Sequence, residues 1–355
     1  MVQPLIGVIT NPNSRKNRLE PGRYEAMREV VGSLGHVRRT QHTGEIADVV
    51  RDFLDEGIPY WVADGGDGAF HWLVNVTWQV LREREAKGSG ERGGTEGWPA
   101  IMPTNAGTID FIGRKCSVVG DADGLLRALC RTLRLGRTPD LLTIDSLVVR
   151  GIHGADTDWP GRPFEKVGFA AALAGVGQRF FDKFYAQEQQ DAAGILKIVA
   201  KVIGSGLSQF PVVRHVPLPI SLRCYGDTLF EPMPLDVWVD GKPLPMRTFR
   251  AVNVGAIDIN LAGLFRFFHH ASSPGVLHVQ AGNPDVLDVL RNIPNMMTGR
   301  DLAVEGFFEG PGQTVRIVAR DGRRIDPVID GELYWGLSEC DVALGPEVRV
   351  VQMRA

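Results

Sequence analysis

The chain has 355 residues, 44% apolar and 23% charged, with a formal net charge of −3. That length exceeds one ordinary core and predicts two domains, and the near-neutral charge excludes a global pull toward nucleic acid or an anionic membrane. Cys116, Cys130, Cys224 and Cys340 lie too far apart for a zinc or CxxC pattern, the N-terminus lacks a signal-peptide core, and no run reaches the ~18 apolar residues of a membrane span, so a cytoplasmic protein is expected, free to attach at a membrane surface.

The first part alternates strand and helix. Residues 5–10 form an apolar run that ends in the turn-forming Asn11-Pro12-Asn13-Ser14. Pro21 can open a helix that ends near Gly32 or Gly35, and a strand follows near residues 37–41. Ile46, Val49, Val50, Phe53 and Leu54 recur at helical spacing, and Gly57 closes that helix. Residues 60–63 read as a third strand. The segment Asp64-Gly65-Gly66-Asp67-Gly68 comes next, and a helix starts near Ala69. Residues 82–97 are charged and Gly-rich and read as a solvated, mobile loop. A fourth short strand spans 100–102, and Leu125, Leu126, Leu129 and Leu133 line another helix. Repeated strand–helix units predict a mainly parallel α/β sheet, with ligands at the carboxyl ends of its strands.

From about residue 141 the pattern changes. Segments 142–150, 164–176, 219–225, 235–239, 248–254, 276–280, 314–319 and 348–353 read as strands, with Asp240-Gly241, Asp321-Gly322 and Asp330-Gly331 as turns between strands. Helices are expected near 192–203 and 284–291. The expectation is a nucleotide-binding α/β domain over 1–142 and a β-rich antiparallel sandwich over 143–355, whose last strand is a candidate to return to the first domain.

The glycine turn is the most informative feature. Glycines between a strand and a helix let backbone approach a ligand closely, and the helix start offers N–H groups and partial positive charge to phosphate. A carboxylate in such a turn repels phosphate unless a cation lies between them, which points to a kinase-like site with magnesium.

Three sheet-edge turns occur in order: Asn11-Pro12-Asn13-Ser14-Arg15-Lys16, then Gly65-Gly66-Asp67-Gly68, then Pro103-Thr104-Asn105-Ala106-Gly107-Thr108-Ile109-Asp110-Phe111. With Asp330-Gly331-Glu332 near the C-terminus, they resemble the diacylglycerol kinase catalytic family, which includes YegS-like, sphingosine and ceramide kinases. The resemblance spans nearly the whole chain. It implies an active site in a cleft between the two domains, with ATP phosphates on Asn11, Ser14, Lys16, Gly65, Gly66, Asp67, Gly68, Gly107 and Thr108. It further implies Mg2+ near Asp67 and Asp110, and catalysis by Glu332 as general base with Asp330 in support. Arg114 and Lys183 are further candidate cations for the phosphates. Phosphoryl transfer needs mainly positioning and charge neutralisation, which acids, metal and a base supply.

The chain departs from the family pattern at Arg15, at Ala69 where GGDGT has its threonine, and at Asp110-Phe111, where many relatives have Asn-Asp. Ceramide kinases also carry an acid at the Asp110 offset. Each motif also has a plain structural reading: Asn11-Pro12 as an ordinary turn, Asp330-Gly331 as a hairpin turn, Glu332 as a solvated side chain, Asp110 as a helix cap. His269-His270 has no third histidine or acid at metal-ligand spacing and reads as a loop or partly buried pair.

Leu264, Phe265 and Phe268, near Arg266, His269 and His270, are candidates for contact with a lipid substrate at the membrane surface. The apolar residues of 195–203, with Lys197 and Lys201, suit the same use or a core helix. The leading expectation is an ATP-dependent lipid kinase acting on a diacylglycerol-like or sphingoid hydroxyl, with a homodimer left open. The alternatives are an NAD kinase, which shares the glycine turn, and a nucleotide- or lipid-binding module with little or no turnover.

Overall fold

The computed structural model describes residues 3–12, 17, 22–88, 98–107, 109–188, 192–208, 219–261 and 264–355. The chain divides into two compact units, Met1–Ser146 with Pro346–Ala355, and Leu147–Gly345. The first unit is therefore discontinuous in sequence. Where the chain leaves it and returns, the Ser146 hydroxyl donates to the Pro346 carbonyl.

The first unit is a doubly wound α/β domain. In chain order it contains β1 (Ile6–Thr10), α1 (Arg23–Val31), β2 (Gly35–Arg39), α2 (Thr43–Asp55), β3 (Tyr60–Asp64), α3 (Asp67–Ala86), β4 (Ala100–Pro103), α4 (Phe111–Lys115), α5 (Ala122–Arg134) and β5 (Leu141–Ile144). The strand order is β2, β1, β3, β4, then the last strand of the chain, Val348–Val351, then β5. All neighbours pair in parallel except β5, which runs antiparallel to the last strand. β1 and β4 are buried throughout, as strands covered by helices on both faces must be. Val50 and Phe53 of α2 and Leu125, Leu126 and Leu129 of α5 are the buried stripes of amphipathic helices. Asp121 caps α5 by accepting the Gly124 N–H at 2.8 Å.

α3 continues to Ala86, so residues 82–86 are helical rather than part of the loop expected there, and residues 89–97 lie outside the described set. The charged residues of this last turn find partners on α2: Arg51 meets Glu83 at 3.2 Å, and Arg84 meets Asp55 at 2.8 Å. A surface-exposed turn of helix is polar for the same reason a loop is, which hid it in the sequence.

The second unit is an antiparallel β-rich domain. One sheet runs Lys242–Pro243, Met233–Val239, Thr314–Ala319, Leu337–Leu344, Leu147–His153, Pro163–Gly168. Another runs Phe308–Gly312, Leu277–Gly282, Ala251–Gly255, Ala170–Gly175, Val328–Ile329, Glu332–Leu333. Met233–Val239 alternates buried and half-buried positions along its length, the mark of a strand with one face in the core. Leu235, Val237 and Ile317 from the first sheet share that core with Leu173, Val254 and Val279 from the second. Asp240-Gly241, Asp321-Gly322 and Asp330-Gly331 all have positive φ at both residues, and the first and third join paired strands as tight hairpin turns.

Two elements differ from the sequence reading. Residues 219–225, expected as a strand, belong to the short helices Ile220–Arg223 and Tyr225–Leu229. Val176–Tyr185 is a helix that begins where the expected strand 164–176 ends, at Gly175 with φ 80°. Leu229, Phe230 and Phe184 form a satellite core with Ile198 of helix Ala192–Ser208 and with Val286. Short apolar runs carry no period that separates strand from helix, and here helix-on-helix packing decides. Among the described residues, no helix is long and apolar enough to cross a membrane.

Gly7 marks the tightest packing of helix on sheet: a Cβ there would stand 2.3 Å from the Phe53 ring. Gly7→Ala is expected to destabilise the first unit by about 1–3 kcal/mol through overpacking. Urea unfolding followed by tryptophan fluorescence should show this as a lower midpoint with an unchanged slope.

Candidate functional site

The chain winds from β1 to β2 on one side and reaches β3 on the other, so the strand order reverses between β1 and β3. In open α/β sheets the crevice at such a reversal, beyond the carboxyl ends of the strands, is where ligands bind. The register pairs Thr10 with Asp64 and Ala63 with Pro103, which brings the ends of β1, β3 and β4 level.

Asp64, fully buried, ties these ends together. Its Oδ2 accepts from Thr10 Oγ1 at 2.7 Å and from Asn17 Nδ2 at 2.9 Å. Its Oδ1 accepts from Arg23 Nη2 at 2.8 Å and from Thr104 Oγ1 at 3.3 Å. A buried carboxylate persists only when paired and fully hydrogen-bonded, and these four donors come from β1, the segment after it, α1 and the end of β4. Thr104 Oγ1 also accepts from the Gly65 N–H at 3.1 Å, which links the second turn to the third. Asn17 Nδ2 reaches the Asn11 carbonyl at 2.8 Å and so draws the first turn into the same network.

The second and third turns touch backbone to backbone. A Cβ on Gly66 would lie 2.4 Å from Gly107 Cα, and one on Gly107 would lie 2.6 Å from Gly66 Cα. The Ala106 N–H donates to the Gly65 carbonyl at 3.1 Å. Gly65 faces Ala69, whose Cβ would be 2.4 Å from a Cβ at Gly65. Gly68 lies in the first turn of α3, whose N-cap, Gly66, contributes no side-chain hydrogen bond. The start of this long helix is thus presented as backbone N–H, the arrangement that attracts anions.

Asp67 and Asp110 shape this junction. Asp67 begins α3, and its carboxylate accepts the backbone N–H groups of Phe111 at 3.2 Å and Ile112 at 3.3 Å, capping α4 from another element. Asp110 is the N-cap residue of α4, in the left-handed region at φ 51°, and its Oδ1 accepts the Gly107 N–H at 2.9 Å. Asp110 Oδ1 lies 3.6 Å from a Cβ built on Gly66, so both acids border the Gly66–Gly107 contact. Each carboxylate oxygen has a second lone pair, and hard oxygen donors of this kind fit Mg2+, which takes one or two carboxylates beside water and phosphate. Ser14, Lys16 and Thr108 lie outside the described residues. Arg114 is exposed, and Lys183 Nζ sits 4.6 Å from the Tyr225 ring centroid in the second unit.

In the second unit, Asp330-Gly331 is the two-residue turn between Val328–Ile329 and Glu332–Leu333, with Ile329 paired to Glu332. Asp330 Oδ1 accepts the N–H groups of Phe169 at 2.8 Å and Ala170 at 3.0 Å, and Tyr185 Oη donates to the Gly331 carbonyl at 2.7 Å. Asp330 therefore fixes the hairpin on its neighbouring strand, and Glu332 starts the return strand half-buried. Burial pushes the Tyr334 hydroxyl well above the usual tyrosine range, and the charges of Glu332 and Asp330 add to the shift. Burial lowers Lys166, whose Nζ lies 5.8 Å from the Tyr334 ring centroid.

The apolar candidates separate. Leu264 is exposed, Phe265 lies in the hairpin of Ile259–Leu261 with Phe265–Phe267, and Phe268 turns inward at φ 60°. The Phe268 ring packs on Gly255, where a Cβ would stand 2.3 Å from it, and on His278 at 5.6 Å between centroids. On helix Ala192–Ser208, Ile195, Ile198 and Val202 face the satellite core while Leu196 is exposed.

Sequence reasoning missed the roles of Thr10, Asn17, Arg23, Asp64 and Thr104. One signal was present: the charged residue closing the otherwise apolar β3, which a strand buried on both faces tolerates only with partners.

No family model and no curated protein sequence matches the chain. Solved structures match over nearly its full length. A candidate diacylglycerol kinase from Bacillus anthracis str. Sterne is 13% identical with a TM-score of 0.58, covering 98% of this chain and 96% of that one. A diacylglycerol kinase from the same organism is 10% identical with a TM-score of 0.52, covering 98% and 96%. Yeast NADH kinase, solved with NADH, is 12% identical with a TM-score of 0.50, covering 99% of this chain and 84% of that one. The chain shares their fold.

Asp64→Asn would take from the buried Arg23 guanidinium the carboxylate it meets at 2.8 Å, while the half-exposed Asp123 stands farther off at 4.0 Å. The expected loss is about 3–5 kcal/mol in chemical denaturation. Thr104→Val, which removes neutral hydrogen bonds, is expected to cost about 1 kcal/mol.

Proposed function

We propose that this protein is an ATP-dependent lipid kinase that phosphorylates a hydroxyl of a diacylglycerol-like or sphingoid lipid. The observation that carries the reading is the Gly66–Gly107 contact beside the start of α3, at the strand-order reversal of the sheet. Two Cβ-free turns and an N-cap without a side-chain bond make a surface that can hug phosphates. The order of turns resembling lipid kinases, and a fold shared with diacylglycerol kinases and NADH kinase, support phosphoryl transfer over passive anion binding.

In this reading the ATP phosphates lie against Gly65, Gly66, Gly68 and Gly107, with Asn11, Ser14, Lys16 and Thr108 as further contacts. Asp67 and Asp110 would hold Mg2+, which supplies charge neutralisation on the phosphates when bound. The two acids also fix the turns through their backbone bonds, so the phosphate surface and its acids keep one geometry. Glu332 takes the proton of the lipid hydroxyl as that oxygen bonds to the γ-phosphorus, the bond to the β,γ-bridging oxygen breaks, and ADP leaves. Asp330 is the positioning residue for Glu332, because it anchors the hairpin that carries it. Leu264 and Leu196, both exposed, are the apolar side chains offered to a membrane surface, with Lys197 and Lys201 near Leu196 suited to anionic headgroups.

The likeness to yeast NADH kinase favours one second reading, phosphorylation of a nicotinamide dinucleotide. Incubation with γ-labelled ATP, Mg2+ and a total lipid extract, in parallel with NAD and NADH, separates the two. The expected result is label in an extractable lipid, lost on chelation and regained with Mg2+; label in the dinucleotide alone would reverse the assignment. Glu332→Gln is expected to lower kcat by about 10²–10⁴-fold with ATP affinity unchanged. Undiminished turnover in that variant would remove Glu332 as the base.

A further inference from the structure

Three histidines and two acids converge in the second unit, apart from the acidic hairpin. His269 Nε2 and His270 Nε2 approach the same atom, Asp301 Oδ1, at 2.9 and 2.8 Å. Their rings lie 4.3 Å apart between centroids. His269, Asp301 and Glu309 each offer a ligand atom, all within 4.8 Å of one another. Tetrahedral zinc, with donors at ~2.0–2.1 Å, separates its ligand atoms by about 3.3 Å, so the two imidazole–Asp301 contacts need open by only about 0.5 Å.

His278 has a different task. It is fully buried, and its Nδ1 accepts the His270 backbone N–H at 3.1 Å. The ring proton therefore stands on Nε2, which donates to Glu309 Oε1 at 3.1 Å. Gln280 Nε2 donates to the same oxygen at 2.7 Å, and the Leu302 N–H to Oε2 at 2.6 Å. Three donors thus aim a carboxylate that is only 4% exposed. Burial alone would raise Glu309, but these bonds hold it below the usual carboxylate range. Burial lowers His278.

We propose that His269, His270, Asp301 and Glu309 form a tetrahedral site for a zinc-class divalent ion, with His278 as the positioning residue for Glu309. Mixed imidazole and carboxylate donors select zinc and its first-row neighbours over Mg2+ or Ca2+. Four protein ligands close the coordination sphere, so the ion is structural. It clips the short helical turn His269–Ser272 to the strand Phe308–Gly312 and to the segment at Asp301 between them. Metal and protons compete for the same imidazole lone pairs, so binding weakens as pH falls.

The test uses the full chain, stripped with a chelator and titrated with Zn2+ in competition with a chromogenic chelator. One equivalent should bind at micromolar Kd or tighter, and Co2+ should give the intense visible bands of tetrahedral coordination. Asp301 is 56% exposed, so Asp301→Asn should fold as the wild type does by circular dichroism, yet bind Zn2+ at least tenfold more weakly. His269→Ala should do the same, and the exposed His42→Ala should change nothing. His278→Gln, whose amide can still donate to Glu309, should retain the Co2+ spectrum and bind more tightly than His278→Leu, which should lose about 10–100-fold. Absence of Zn2+ binding at millimolar concentration, or unaltered binding in both Asp301→Asn and His269→Ala, would overturn the proposal.

Discussion

The first unit is organised around one buried carboxylate. Asp64 stands at the end of β3 with no exposure to water, and four donors from the chain around it satisfy its charge. A buried carboxylate without partners would cost several kilocalories, so the Arg23 contact matters most and the neutral donors add smaller shares. The donors come from the ends of β1 and β4, the segment after β1, and α1, so losing a contact loosens how those ends are held to β3. The reversal of strand order opens a crevice, and the Asp64 network holds its floor rigid.

On that floor the two inner turns meet through glycine. Gly66 and Gly107 approach so closely that no side chain fits at either. The acids that read in the sequence as metal ligands also serve the architecture: Asp67 caps α4, and Asp110 holds the Gly107 N–H. These roles are compatible with ion binding, because backbone donors occupy only part of a carboxylate's acceptor capacity. They also bear on the departure from the family pattern at Asp110-Phe111. The Phe111 side chain cannot accept hydrogen bonds, but its N–H donates to Asp67, so the turn keeps a charged anchor by using backbone.

The fold was legible where the pattern was periodic. The apolar β1, β3 and β4, the stripe of α2 and the Asp-Gly turns follow from spacing and turn chemistry alone. It was not legible where tertiary packing chose between equals, as at residues 219–225, which fold into short helices whose Tyr225, Leu229 and Phe230 pack with Phe184 and Ile198. The turns were readable as motifs, whereas the Asp64 network was not, because Arg23 and Thr104 lie 41 and 40 positions from Asp64 and meet it only in three dimensions. The same limit hid the histidine cluster. His269-His270 looked isolated in sequence, and Asp301 and Glu309 join it through a 3₁₀ turn, a loop and a β-ladder.

The central claim is that the Gly66–Gly107 contact forms the phosphate surface of a nucleotide site. Calorimetric titration of Mg2+–ATP into wild-type protein and into Gly66→Ala tests it most directly. The account predicts saturable binding to the wild type and at least tenfold weaker binding to the variant, whose added Cβ must push the two turns apart. Equal affinities, or no binding to the wild type, would contradict it.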